Sequence, residues 1–160
     1  MAVDMFLKLT DIKGESKDHK HPDEIDIHSY SWGMTQIGSF GAGGGGGTGK
    51  VNVHDITLTK NLDKATNVLY LRCASGKHIP EGILTVRKAG EKPLEYLKIT
   101  FNDILVSSSQ TAGHGGGDQI TETLSLNFSK VKIEYQEQKA DGSGQPATTF
   151  GWDVKANEKI

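Results

Sequence analysis

Apolar and polar residues alternate with a period of two along most of this chain, and that pattern restricts it to sheet-rich folds. Strand-like runs cover residues 3–9, 25–36, 51–60, 82–88, 94–107, 119–138 and 148–155. Polar or glycine-rich segments separate them at 10–24, 38–50, 89–93, 112–117 and 141–144. The four prolines fall outside these runs, where a missing backbone N–H costs no ladder bond. In the longest run the phase slips. Leu124, Leu126 and Phe128 share one register, and Val131, Ile133 and Tyr135 share the other. A shift of one residue turns a strand over, so a bulge or bend is expected near Ser129 and Lys130. Leu97, Ile99 and Phe101 share one core face, as do Phe150, Trp152 and Val154.

The pattern changes to helical spacing once, at Leu62, Ala65, Val68, Leu69 and Cys73. Asn61 is placed to cap the start, and Gly76 to sit just past the end. The expected fold is therefore mainly β: a barrel or sandwich of antiparallel strands with one flanking helix.

Length and charge narrow the function. The 160 residues fit a single domain, 1–160. A domain of that size buries about 68–70% of its unfolded surface, enough for a core without staples. The net charge is −2, the only arginines are Arg72 and Arg87, and no basic stripe appears, so nucleic acid is not an expected partner. The apolar runs are far too short to span a membrane as helices. The N-terminus lacks the layout of a cleavable signal peptide, and the single Cys73 excludes an internal disulfide framework.

Eight of the twelve residues in 38–49 are glycine, and Lys50 follows. Residues 44–50 fit most of the phosphate-loop pattern G-x-x-x-x-G-K-[ST], so nucleotide binding there is one alternative function. Two requirements fail. Val51 stands where the magnesium-binding Ser or Thr belongs, and a β-branched strand follows instead of a helix. The segment reads better as a flexible tongue.

The run before the tongue has an unusual face. Tyr30, Trp32 and Met34 belong in a core, while Ser29, Ser31, Gly33 and Thr35 form the opposite side, small and mostly hydroxylated. A solvated face usually carries Lys, Glu and Asp. A small polar face suits a surface that another body slides past or packs against closely; the alternative is an ordinary exposed face rich in Ser and Thr.

Candidate chemistry is thin. His19, His21, His28, His54, His78 and His114 read as surface histidines, because no metal-ligand motif accompanies them. His54, Asp55 and a serine could be assembled into a triad on paper, but no nucleophile elbow is present. Cys73 reads as a buried, inert thiol. No catalytic residue, metal or cofactor is expected. A monomeric β-sandwich binding module is a further alternative, although Trp32 and Trp152 both lie in core registers rather than on an exposed aromatic face.

A set of short segments, in order and at matching spacing, then points to one family. They are Asp4-Met5-Phe6-Leu7-Lys8, Lys13-Gly14-Glu15-Ser16, Ser31-Trp32-Gly33 and Ser75-Gly76-Lys77-His78. Leu84-Thr85-Val86-Arg87-Lys88-Ala89-Gly90, then Leu124-Ser125-Leu126-Asn127-Phe128-Ser129-Lys130-Val131, and finally Phe150-Gly151-Trp152-Asp153 complete the set. Across nearly its whole length the chain resembles the hemolysin-coregulated protein (Hcp) family, the tail-tube proteins of type VI secretion. The resemblance implies a β-barrel with a flanking helix that assembles into homohexameric rings. The rings stack into a tube inside a contractile sheath, with a VgrG-type spike protein at the tip and effector proteins in the lumen. It further implies a non-enzymatic protein, cytoplasmic during assembly and then propelled to the exterior or into a target cell. On this reading Ser29, Ser31, Gly33 and Thr35 face the channel, and the tongue, with Gly38, Phe40, Gly43, Gly45, Gly47 and Lys50 as candidate contacts, reaches a neighbouring subunit or ring.

Overall fold

The computed structural model describes residues 2–41 and 49–160. β1 (Val3–Leu9) pairs antiparallel with β2 (Ile25–Ile27) on one side and β7 (Ile79–Lys88) on the other. β7 pairs with the first half of β8 (Glu95–Ala112), followed by β10 (Lys130–Tyr135), β11 (Thr148–Asp153) and the short β12 (Glu158–Lys159). A second layer joins β3 (Ser29–Ser31), β6 (Ile56–Asn61), β9 (Thr121–Asn127) and the second half of β8. β4 (Met34–Thr35) and β5 (Asn52–Val53) form a separate two-stranded ribbon. One helix, α1 (Thr66–Ser75), packs on β8.

The layers close into a barrel because the chain crosses between them at three corners. At the first, the expected strand over 25–36 breaks: His28 donates its N–H to the Thr59 carbonyl at 2.8 Å, handing the chain from β1 to β6. At the second, β8 pairs with β7 up to Ile104 and with β9 from Leu105 onward. Asp103, just ahead of that change, adopts φ 54°, a left-handed conformation that Asp tolerates better than most residues. Its carboxylate is held by His78 Nδ1 at 2.6 Å and Lys155 Nζ at 3.3 Å, which lowers its pKa. The third corner is the phase slip between Phe128 and Val131, both buried. β9 ends at Asn127, the Ser129 N–H donates to the Asn102 carbonyl at 3.0 Å, and β10 starts in the other layer. The slip marks a passage between sheets rather than a bulge within one strand.

Leu7, Ile25, Leu84, Ile99, Phe101 and Val131 fill the core from one layer, and Ile56, Leu58, Val106, Leu124 and Leu126 from the other. Each such side chain stabilises the fold by about 1.5–3 kcal/mol through removal from water. The 10–24 loop lies close against β2. A Cβ on Gly14 would come 2.5 Å from the Glu24 carbonyl oxygen and 2.7 Å from Ile25 Cα, so only glycine fits there.

Several boundaries differ from the sequence reading. β7 begins at Ile79 and so includes Pro80, which precedes the pairing with β1 at Gly82. β8 runs on to Ala112, and the stretch 51–60 is interrupted at His54 and Asp55. Asn61 belongs to β6 and does not cap the helix. The turn before α1 is set by Asp63, whose Oδ1 accepts from the Ala65 N–H at 2.9 Å, while Thr66 Oγ1 accepts from the Asp63 N–H at 3.1 Å. Gly76 ends the helix in the left-handed conformation, φ 68°, as the spacing predicts. Only Ala65, Thr66 and Leu69 are buried on α1 or its cap; Leu62 and Val68 are exposed, because the helix covers the barrel with a narrower stripe than the pattern implied. Met34 and Phe150 are likewise exposed. The first sits on the outlying ribbon and the second at the rim, where β12 covers only Trp152 and Asp153 of β11.

Beneath α1 lies a buried polar cluster. Lys60 Nζ donates to Glu122 Oε2 at 2.6 Å, Asp63 Oδ1 at 2.9 Å, the Asn61 carbonyl at 3.0 Å and Thr66 Oγ1 at 3.3 Å. Glu122 also accepts from Thr66 Oγ1 at 2.6 Å and Ser109 Oγ at 3.3 Å. Every charge there has partners, which lets β6 and β9 carry charged residues on their core side.

Candidate functional site

The outer face of the second layer is a lattice of small polar side chains. Antiparallel pairing sets Ser31 opposite Thr57, Thr57 opposite Ser125, and Ser125 opposite Ser108. The next row runs Ser29, Thr59, Thr123, Gln110. Directly paired residues point the same way, so two rows of four side chains lie side by side across four strands. Four strands at their usual separation make a face about 15 Å wide. All eight residues are exposed or half-buried, while Ile56, Leu58, Leu124 and Leu126 on the reverse are buried.

The two rows carry seven hydroxyls, one amide and no formal charge. They hydrogen-bond largely among themselves: Ser29 Oγ to Thr59 Oγ1 at 2.5 Å, Thr57 Oγ1 to Ser125 Oγ at 3.4 Å, and Gln110 Nε2 to Ser108 Oγ at 3.5 Å. Beyond one edge, Asp55 accepts from Ser107 Oγ at 2.6 Å and Asn127 Nδ2 at 2.8 Å. Such a surface offers many weak hydrogen-bonding groups and neither an ion pair nor a greasy patch.

Of the four residues assigned to this face from sequence, Ser29 and Ser31 lie on it. Gly33 and Thr35 do not, because the strand ends at Ser31. They belong to the base of the β4–β5 ribbon, where the Gly33 carbonyl accepts from the His54 N–H at 3.1 Å and Thr35 Oγ1 lies 3.4 Å from His54 Nε2. Trp32 pins that base by donating its Nε1–H to the His54 carbonyl at 2.9 Å and packing near Phe128, ring centroids 6.4 Å apart. The six partners of Ser29 and Ser31 on β6, β9 and β8 were missed from sequence. The signal for them was present: polar residues at every second position of 57–61 and 121–125, and the run Ser107-Ser108-Ser109.

The ribbon opens into the tongue. Of the tongue residues named from sequence, Gly38, Phe40 and Lys50 are described and exposed, while Gly43, Gly45 and Gly47 lie outside the described residues. So does most of the 44–50 phosphate pattern. Phe40 is 88% exposed and Ile37 76%, with Met34 exposed beside them. Ile37 and Phe40, just past β4, have little cover among the described residues.

The paper triad is not assembled. His54 turns to Thr35, and Asp55 is taken up by Ser107 and Asn127. No group of three or more His, Cys, Asp or Glu side chains among the described residues is arranged to hold a metal ion. His21 departs from the surface reading: it is buried, with both ring nitrogens on carboxylates. Among the described residues no helix is long and apolar enough to cross a membrane.

Comparison with known proteins then fixes the family. Residues 6–135 match the sequence model of the family described as type VI secretion system effector, Hcp. Protein hcp1 of Pseudomonas aeruginosa is 54% identical over 160 residues, covering 98% of each chain. The chain belongs to the Hcp family of type VI secretion proteins. The fold is similar to the crystal structure of Hcp1 from Salmonella typhimurium, at 43% identity and TM-score 0.83 over the whole of both chains. A structure of a type six secretion system protein matches at TM-score 0.94 and 28% identity, over 99% of this chain and 100% of the other. The antiparallel barrel with one helix is thus the Hcp fold, and the chain is a secretion-system component.

Proposed function

We propose that this Hcp chain is the tube subunit of a type VI secretion tail, and that the hydroxyl lattice lines the channel. The single observation that carries this reading is the two-row face of Ser31, Thr57, Ser125, Ser108 and Ser29, Thr59, Thr123, Gln110. A channel wall must let protein cargo pass without trapping it. Hydroxyls that already bond one another, with no charge and no apolar patch, meet that need. Effector proteins are the cargo on this reading.

Ring closure is supported by unpaired edges. β12 pairs with only two residues of β11, which leaves the outer edge from Thr148 to Phe150 open to another chain. A head-to-tail contact of that kind closes a ring when its rotation fits, and the family resemblance implies six copies. The tongue supplies a second contact: Ile37 and Phe40 dock on a neighbouring copy in the ring or in the next ring. The complete machine adds a contractile sheath around the tube and a VgrG-type spike at its end. The role is structural and not enzymatic. The protein assembles in the cytoplasm and leaves with the ejected tube. Sedimentation of the purified protein tests the assembly. A species of six chain masses is expected, and a monomer persisting at high concentration would refute it.

A further inference from the structure

Besides the Glu15 carboxylate, which accepts from the Lys64 N–H at 2.7 Å, two charged points fasten the 10–24 loop to the barrel. One is Arg87 on β7, whose Nη1 and Nη2 donate to Asp18 at 3.1 and 2.6 Å, with Asp4 of β1 on Nη2 at 3.1 Å. The other is His21. Its Nδ1 lies 2.9 Å from Glu24 Oε2 and its Nε2 lies 2.6 Å from Glu95 Oε1 at the start of β8. The imidazole is stacked on Phe6, centroids 4.5 Å apart and planes 9° apart, and the Arg87 guanidinium lies 5.0 Å from the same phenyl ring.

A neutral imidazole has one N–H. Ionised carboxylates only accept, so two carboxylates on two ring nitrogens require two protons on the two N···O axes. We propose that the Glu24–His21–Glu95 cluster is a proton-operated latch that holds the 10–24 loop on the barrel. With both protons present, each axis is a charge-assisted hydrogen bond. Removing one proton leaves a ring lone pair facing a carboxylate. Glu95 is the arm that yields, because its side chain is 41% exposed against 12% for Glu24 and can turn to water. The loop then keeps its Arg87–Asp18 tie and its backbone bonds, Gly14 N–H to the Asp23 carbonyl at 2.8 Å and Ser16 N–H to the Glu24 carbonyl at 3.0 Å. The result is a local opening rather than unfolding.

The charged groups facing the ring are Glu24 from the loop and Glu95 from β8, while Asp18 accepts from the His21 backbone N–H through its own carbonyl. Arg87 from β7 and Asp4 from β1 follow across Phe6. The closed form binds one more proton than the open form. Closure is therefore favoured at lower pH and lost as pH rises and that proton leaves.

Amide hydrogen exchange of residues 10–24, corrected for intrinsic rates, is measured on the assembled full chain across pH. Exchange of the His21 Cε1 hydrogen, followed by mass spectrometry, reports ring protonation in the same samples. Protection of the His21, Asp23 and Glu24 amides should fall about tenfold, as for one hydrogen bond to a charged group, in step with ring deprotonation, while the Gly14 and Ser16 amides stay protected. Glu95→Gln supplies an amide that donates to a neutral Nε2, so that loop should stay protected throughout. Glu95→Ala should be open at every pH. Protection that is unchanged while the His21 ring loses its proton, or a Glu95→Gln loop that opens as the wild type does, overturns the latch.

Discussion

Ser29 of β3 and Thr59 of β6 face each other across the ladder with their hydroxyl oxygens 2.5 Å apart, each the other's hydrogen-bond partner. The pair shows how the outer face satisfies its polar groups laterally, leaving little to grip a passing protein. Ser31 lies in the adjacent row, opposite Thr57. Ser31→Gln adds a bulky side chain that takes up space over this surface. Rings should form normally, and lumenal cargo recovered with them should drop severalfold in a pull-down. A variant that fails to form rings would place Ser31 in an interface or the core and remove the face from the channel.

The tongue prediction concerns Ile37 and Phe40, the most exposed large apolar residues described. Burying each against a partner is worth about 1.5–3 kcal/mol. Ile37→Ser with Phe40→Ser should leave the monomer's melting temperature unchanged while weakening association between copies by roughly tenfold or more. Sedimentation equilibrium separates the two effects, and an unchanged association constant would free the tongue from this role.

The Lys60–Glu122 pair, with neither side chain exposed to solvent, sets a stability prediction. Lys60→Met leaves the Glu122 charge buried without its partner, which costs about 3–5 kcal/mol. Lys60→Met combined with Glu122→Leu should recover most of that loss, because two apolar side chains need no partner. Denaturant midpoints of the two variants decide it; equal losses would show that the cluster contributes through packing alone.

Acid should weaken the fold through Asp18. Hydrogen bonds from Arg87 hold its carboxyl well below the ordinary 3.8, against an opposing effect of desolvation. A folded-state pKa below the unfolded one means stability that is present above about pH 4 and lost as pH falls below it. Asp18→Asn should be less stable near neutrality and should show a flatter decline in melting temperature between about pH 5 and pH 2. A decline as steep as the wild type's would assign acid sensitivity to other carboxylates.

Much of the fold was legible in the sequence because alternation, turn residues and the Gly76 stop are local signals. β1 spans the run 3–9, and the phase slip at Ser129 marks a real corner. What was not legible depends on contacts distant in sequence. Nothing local says that Lys60 meets Glu122, or that β6 ends with Asn61 while Asp63 sets the turn before the helix. His21 looked like a loop histidine because Glu95, its second partner, lies 74 residues away. The candidate face was half-read for the same reason. Ser29 and Ser31 stood out on one strand, but Thr57, Thr59, Thr123, Ser125, Ser108 and Gln110 joined them only when pairing brought four strands together. Gly33 and Thr35 continued the alternation in sequence while the chain had already left the sheet.

An electron cryomicroscopy reconstruction of the purified protein tests the central claim most directly. The account predicts a six-membered annulus whose channel is lined by Ser29, Ser31, Thr57, Thr59, Thr123 and Ser125. A monomer at high concentration, or a ring with these side chains on its outer rim, would contradict it.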